Sequence, residues 1–102
     1  GNQLNLTAGN SGMTDTISVN SVDLSAFGSV NMAAHTLVLA DVTFGGTSSV
    51  TLASQSGQLA ANPNTGASVV PFDVNFIRNV NYGSDQAQNH IGSGITITTL
   101  PP

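Results

Sequence analysis

The sequence predicts an all-β chain wound as a short right-handed parallel β-helix, or β-solenoid, and three observations carry that prediction. Segments 20 residues apart match without a gap, apolar residues alternate with Thr, Ser and Asn, and glycines follow the repeated apolar pairs. A repeat of this length marks an architecture in which no turn can bury its own apolar face, so stacked turns complete one core.

The first copy, Thr16-Ile17-Ser18-Val19-Asn20-Ser21-Val22-Asp23-Leu24, lies over Thr36-Leu37-Val38-Leu39-Ala40-Asp41-Val42-Thr43-Phe44. Ser29-Val30-Asn31-Met32-Ala33 likewise falls on Ser49-Val50-Thr51-Leu52-Ala53. A third copy of one segment follows an insertion: Asn79-Val80-Asn81-Tyr82-Gly83 repeats Asp41-Val42-Thr43-Phe44-Gly45. Leu4-Asn5-Leu6 resembles Val30-Asn31-Met32, and Ile91 with Ile95-Thr96-Ile97 resembles Val50 with the segment near Leu59. This makes about four turns, the first and third enlarged by loops, with strands of successive turns parallel and about 4.8 Å apart.

Gly28, Gly45, Gly46 and Gly83 are expected at the corners, where positive φ costs glycine nothing. Turn-forming residues mark loops at 9–14, 61–70 and 84–89. Phe72, Phe76 and Ile77, preceded by Val69 and Val70, are read as an apolar cap over the core. Leu100-Pro101-Pro102 is expected to terminate the rod, because proline cannot donate to a further ladder. Without such a stop, unpaired strands invite end-to-end association of two copies as a homodimer. The alternative is an antiparallel β-sandwich, which also gives short strands with frequent turns but seldom an ungapped repeat.

Composition narrows function by exclusion. One Arg and no Lys stand against five Asp, a net charge of -4. A chain this poor in cations lacks the basic stripe that binds nucleic acid, and the same count disfavours an anionic membrane surface. No apolar run approaches the length that spans a bilayer, so membrane insertion is not expected. The absence of cysteine removes disulfides, thiolate metal ligands and thiol nucleophiles together. At 102 residues the chain is read as a single solenoid domain and as a fragment of a longer exported protein. The Ser/Thr/Asn/Gly-rich, lysine-free composition suggests an extracellular or cell-surface bacterial location.

Thr36 to Leu39, Val42 to Gly46, Ser49 to Ala53 and Gly57 to Ala60 together resemble the parallel β-helix repeats of filamentous-haemagglutinin-type exoproteins and related bacterial adhesins. That resemblance implies a right-handed solenoid forming part of a larger surface or secreted protein.

The most distinctive polar set comes from the thrice-repeated segment. With Val22, Val42 and Val80 inward, Asp23, Asp41, Thr43, Asn79 and Asn81 project together from one outer face, joined by Ser21. Such a face could bind glycan through hydroxyl, amide and carboxylate groups. Asp23 and Asp41 sit one turn and two residues apart, roughly 8 Å from strand spacing and rise, a separation inverting glycosidases use. No arginine or aromatic platform accompanies them, and a solvated polar ladder explains the same residues, so no enzyme is expected. Gly12-Met13-Thr14-Asp15 is similar to a calcium-binding β-roll turn, but it occurs once and with a longer spacing. His35 and His90 lie in different repeats without a ligand pattern and are read as surface histidines. No metal or other cofactor is therefore expected. Thr96, Thr98 and Thr99 suggest a threonine ladder like that of ice-binding solenoids, yet aligned positions elsewhere vary among Asn, Thr and Ser. Arg78 is expected to pair with Asp73 or Asp85.

The sequence thus predicts a noncatalytic structural or adhesin-like module whose partners are other domains of its own chain or other proteins. A carbohydrate-binding module is the alternative, and a fragment of a polysaccharide-degrading solenoid enzyme the third reading.

Overall fold

The computed structural model describes residues 2–9, 14–61 and 73–100. In chain order the strands are β1 (Gln3–Thr7), β2 (Thr16–Leu24), β3 (Ser29–Ala33), β4 (Thr36–Phe44), β5 (Ser49–Ser54), β6 (Leu59–Ala61), β7 (Val74–Tyr82), β8 (Asp85–Gln86) and β9 (Ile95–Thr99). They form two stacked sheets, ordered β1-β3-β5-β9 and β2-β4-β7-β6. Every pairing along both is parallel, and the short β8 adds antiparallel to the end of β7. This is the short β-solenoid, not the antiparallel sandwich.

The sequence repeat is the structural register. Thr16 pairs with Thr36, Ile17 with Leu37, Val22 with Val42 and Leu24 with Phe44, while Val30 pairs with Val50 and Met32 with Leu52. Because strand side chains alternate faces, an in-register stack brings like residue onto like. Leu4, Val30, Val50 and Ile95 make one apolar column. Leu24, Phe44 and Tyr82 make another. The second turn has neighbours above and below, and its Leu37, Leu39, Val42 and Phe44 are all 0% exposed. Complete burial of such side chains stabilises by about 1.5–3 kcal/mol each, the main favourable term for a chain almost without charges.

The long strands break strict alternation at one place. Ile17 and Val19 face the core, but so do Val22 and Leu24, so the inward set skips a residue. The skip is made by one left-handed residue per turn: Ser21 (φ 58°), Asp41 (φ 55°) and Asn79 (φ 49°). A left-handed residue re-aims the side chain after it, so both halves of each strand contribute to one core. Asn and Asp accept this conformation by bonding locally, whereas serine bears about 1–2 kcal/mol for it. Ser21 is exposed and its hydroxyl donates only to neighbouring Asn20. Ser21→Gly is therefore expected to gain about 0.5–1 kcal/mol, after allowance for glycine's greater freedom when unfolded, and a raised melting temperature would register it.

Three sequence expectations change. Phe76 is no cap: it stacks on Leu39, and Val74 on Leu37, as the first half of the third turn. Ile77 is the extra residue of a β-bulge, since Leu39 pairs with Phe76 while Ala40 pairs with Arg78. The segment expected as a loop at 84–89 holds β8 and most of a 3-10 turn, Ala87–His90, whose Ala87 is buried. Ile95 and Ile97, rather than Ile91, continue the Val50 and Leu52 columns, and Ile91 is 40% exposed. Beyond these, stacking order departs from chain order, since β7 enters between β4 and β6 and β6 pairs with its outer side.

Corners follow the expected glycines with a different cause at Gly45. Gly83 has positive φ (65°), but a Cβ on Gly45 would lie 2.8 Å from both the Ser25 carbonyl and the Ser48 hydroxyl, so close approach excludes a side chain there. Leu100 donates its N–H to the Ser54 carbonyl at 2.8 Å, extending the β5 ladder. Gly12, Met13, residues 62–70, Phe72 and the final two prolines lie outside the described residues.

Candidate functional site

The five polar residues singled out in the sequence come together on one outer surface. Asp23, Thr43 and Asn81 form an in-register column through β2, β4 and β7. Asp41 and Asn79 occupy the left-handed bend beside it, with Ser21 in the turn below. The strands place them there because Val22, Val42 and Val80 are drawn inward, which turns their neighbours out.

Asp41 is the most connected of the set. Its Oδ1 accepts from the Asn79 amide at 2.9 Å and its Oδ2 from Arg78 Nε at 3.0 Å. The Asn79 amide holds the Asp41 carboxyl below the usual range, against partial desolvation and with the Arg78 charge assisting. The Arg78 partner is thus Asp41, not Asp73 or Asp85. The Ile77 bulge advances Arg78 by one position and sets it beside Ala40, within reach of the next residue. Asp23 is held separately, accepting from the Ser25 backbone N–H at 2.9 Å. The Ser25 hydroxyl and N–H lower its carboxyl too. A general acid needs a raised carboxyl, so both shifts run opposite to that role.

The sign for folding follows. A carboxyl held lower in the folded chain stabilises it above its unfolded value, about 3.9, and this contribution is lost as pH falls through the folded value. Asp41→Asn, which keeps a residue tolerant of the bend, is expected to lower the urea midpoint at neutral pH. Between pH 7 and about pH 2 its midpoint should fall less than that of the unsubstituted chain. Equal slopes would mean that Asp41 ionisation does not couple to folding.

The other sequence candidates fall elsewhere. Thr96 stacks on Thr51 and Thr98 on Ala53, continuing through Asn31 and Ala33 to Asn5 and Thr7. The columns of this first sheet are mixed amide, hydroxyl and methyl, and Asn31 donates to Asn5 at 3.0 Å. Both histidines are half-buried, which corrects their reading as surface residues. His90 stacks against Tyr82 with ring centroids 4.7 Å apart. Its Nε2 is 3.5 Å from Asp85 Oδ2, an ion-pair distance without hydrogen-bond geometry, and is buried without a hydrogen-bond partner among the described residues. His35 Nδ1 is buried in the same way. Among the described residues no three His, Cys, Asp or Glu side chains converge as a metal site would require.

What the sequence reading missed at this surface is Arg78. The signal was present in Val74-Asn75-Phe76, whose alternation announces a strand that begins before the recognised third copy. No protein-family model, curated protein or solved structure matches the chain.

Proposed function

We propose that the chain is a noncatalytic structural module, adhesin-like in build, of an exported bacterial surface protein. The observation that carries this reading is that polar groups on the most distinctive surface bind one another instead of standing free. Asn79 and Arg78 of β7 close on Asp41 of β4 across the stack, and Ser25 closes on Asp23 within the first turn. The bonds to Asp41 stiffen the join between turns, and a rod of stacked turns acts by holding what it carries at a fixed distance. The export assignment rests on the lysine-free, hydroxyl- and amide-rich composition. Antibody labelling of intact source cells tests it: labelling without permeabilisation supports surface exposure, and labelling only after permeabilisation overturns it.

A carbohydrate-binding module is the second reading, favoured by the gathering of Asp23, Asp41, Thr43, Asn79 and Asn81 on one face. In this reading glycan binding on an array falls at least about tenfold with Asp23→Ala or Asn81→Ala, the loss of one or two charge-assisted or amide hydrogen bonds. Binding that survives both substitutions excludes this face. Turnover of a polysaccharide would replace both readings with an enzyme.

A further inference from the structure

In the β2-β4-β7-β6 sheet the stacking order breaks the chain order once. β6 follows β5 directly, as β4 follows β3, so in a regular coil β6 would be the strand that covers β4. β7 holds that place instead, with Val74 on Leu37, and Leu59 of β6 lies one layer further out on Val74. The corner before β6 makes the climb. Gln55 donates its N–H to the His35 carbonyl at 3.1 Å, so these two are stacked neighbours. Leu37 comes two residues after His35, whereas Leu59 comes four after Gln55. The lengthened corner contains Gly57 at φ 68°, where a Cβ would meet Thr98 and Thr99 of β9 within 3.3 Å.

β6 is fitted for the place that β7 holds. The Asp73 carbonyl accepts from the Leu37 N–H at 2.7 Å, and the Gln58 carbonyl accepts from the Val74 N–H at 2.9 Å. β6 thus starts on β7 with the same bond by which β7 starts on β4, and it sets Leu59 in the column of Ile17, Leu37 and Val74. Lowered by one layer, it pairs Leu59 with Leu37 and Ala60 with Val38. It is also nearer: Leu59 is 22 residues from Leu37 and Val74 is 37, and contacts that close shorter loops form sooner. β7 prevails in the folded chain because it buries more. Val74, Phe76, Val80 and Tyr82 are all buried, whereas Leu59 is half-buried.

We infer that β6 is a place-holding strand: during folding it covers β4 until β7 arrives, then moves out one layer as β7 enters between them. What the exchange protects is an edge. Before β7 pairs, the nine residues of β4 would present unpaired backbone on the side away from β2, and such an edge templates pairing with other chains. β6 covers the start of that edge, beside Leu37 and Leu39, and β7 then takes its whole length. The lifted corner rests on β9, which the chain supplies after β7. Both parts that hold β6 outward therefore come later in the sequence than β6 itself.

Disulfide trapping in the full chain, which has no cysteine of its own, tests this. Val38, Asn75 and Ala60 form one column. In the folded chain Val38 and Ala60 are therefore two strand spacings apart, about 9–10 Å, beyond the roughly 7 Å between Cα atoms that a disulfide spans. Val38→Cys combined with Ala60→Cys should link within the chain in oxidant pulses given early in refolding, faster than the same pair links in urea, and should lose that linking once folded. Val38→Cys combined with Asn75→Cys, on adjacent strands, should link later and remain able to link in the folded chain. The inference is overturned if the first pair never exceeds its rate in urea, if the second pair links before the first, or if the first links as fast in the folded chain as in early pulses. Circular dichroism checks the final fold of each variant. Because the Asn75 amide donates to the Leu37 carbonyl, a misfolded Asn75→Cys variant would leave the first pair to decide alone.

Discussion

Truncating Phe44 to alanine is expected to remove about 3–5 kcal/mol of stability, the usual range for deleting a fully buried aromatic side chain. Phe44 lies at 0% exposure between Leu24 and Tyr82, with layers of the rod on both sides. Its removal leaves a void that neither neighbour can fill without breaking its own register. Domains of this size hold about 5–15 kcal/mol in total, so the variant should lose about a fifth of its stability or more. Its urea midpoint should fall accordingly, with the slope unchanged. A column series makes the test specific to the solenoid. Val42→Ala, covered on both sides, should cost more than Val22→Ala, where the side chain is half-exposed in the first turn. Similar losses at the two valines would mean that stacking on both sides adds nothing to the burial of Val42.

How much of this was legible in the sequence depended on what keeps a side chain's position in the turn. Between the first and second turns nothing is inserted, so Ile17 over Leu37 and Val30 over Val50 could be read directly. The outward set from Asp23 to Asn81 followed, because each member adjoins an inward valine. The third turn was read only from Asn79 onward. Ile77 adds one residue, so Val74 and Phe76 match their equivalents at a spacing of 37 residues, against 38 for Val80 and Tyr82. An ungapped comparison at either spacing finds only half of the strand. The exchange in order between β6 and β7 left no trace in periodicity, since alternation tells which face a residue takes but not which neighbour its backbone pairs with. Arg78 was misassigned for the same reason: Asp73 and Asp85 are near in sequence, while Asp41 becomes near only through the stack.

The second large effect expected is at Gly94, whose requirement is space and not backbone freedom. A Cβ there would overlap the hydroxyl of Tyr82 and reach within 2.6 Å of the carbon that bears it. Tyr82 cannot move aside freely, because its hydroxyl donates to the Ser48 carbonyl at 2.6 Å inside the rod and its ring rests on His90. Gly94 cannot retreat either: its carbonyl accepts from the Val50 N–H at 2.9 Å, the bond that starts β9 on β5. Gly94→Ala must therefore break one of these, adding overpacking to a buried polar group left unpaired, about 2–4 kcal/mol together. Tyr82→Phe should cost less, about 1–2 kcal/mol, since it removes the donor while keeping the ring. Removing the hydroxyl also removes the nearest obstacle to a methyl group. In the Tyr82→Phe background Gly94→Ala should then be cheaper than in the unsubstituted chain, a coupling of about 0.5 kcal/mol or more that a double-mutant cycle of urea titrations can resolve. Strict additivity would show that the tyrosine hydroxyl and Gly94 do not share this space. The last turn would then be held by the β5–β9 ladder and not by the contact across the corner.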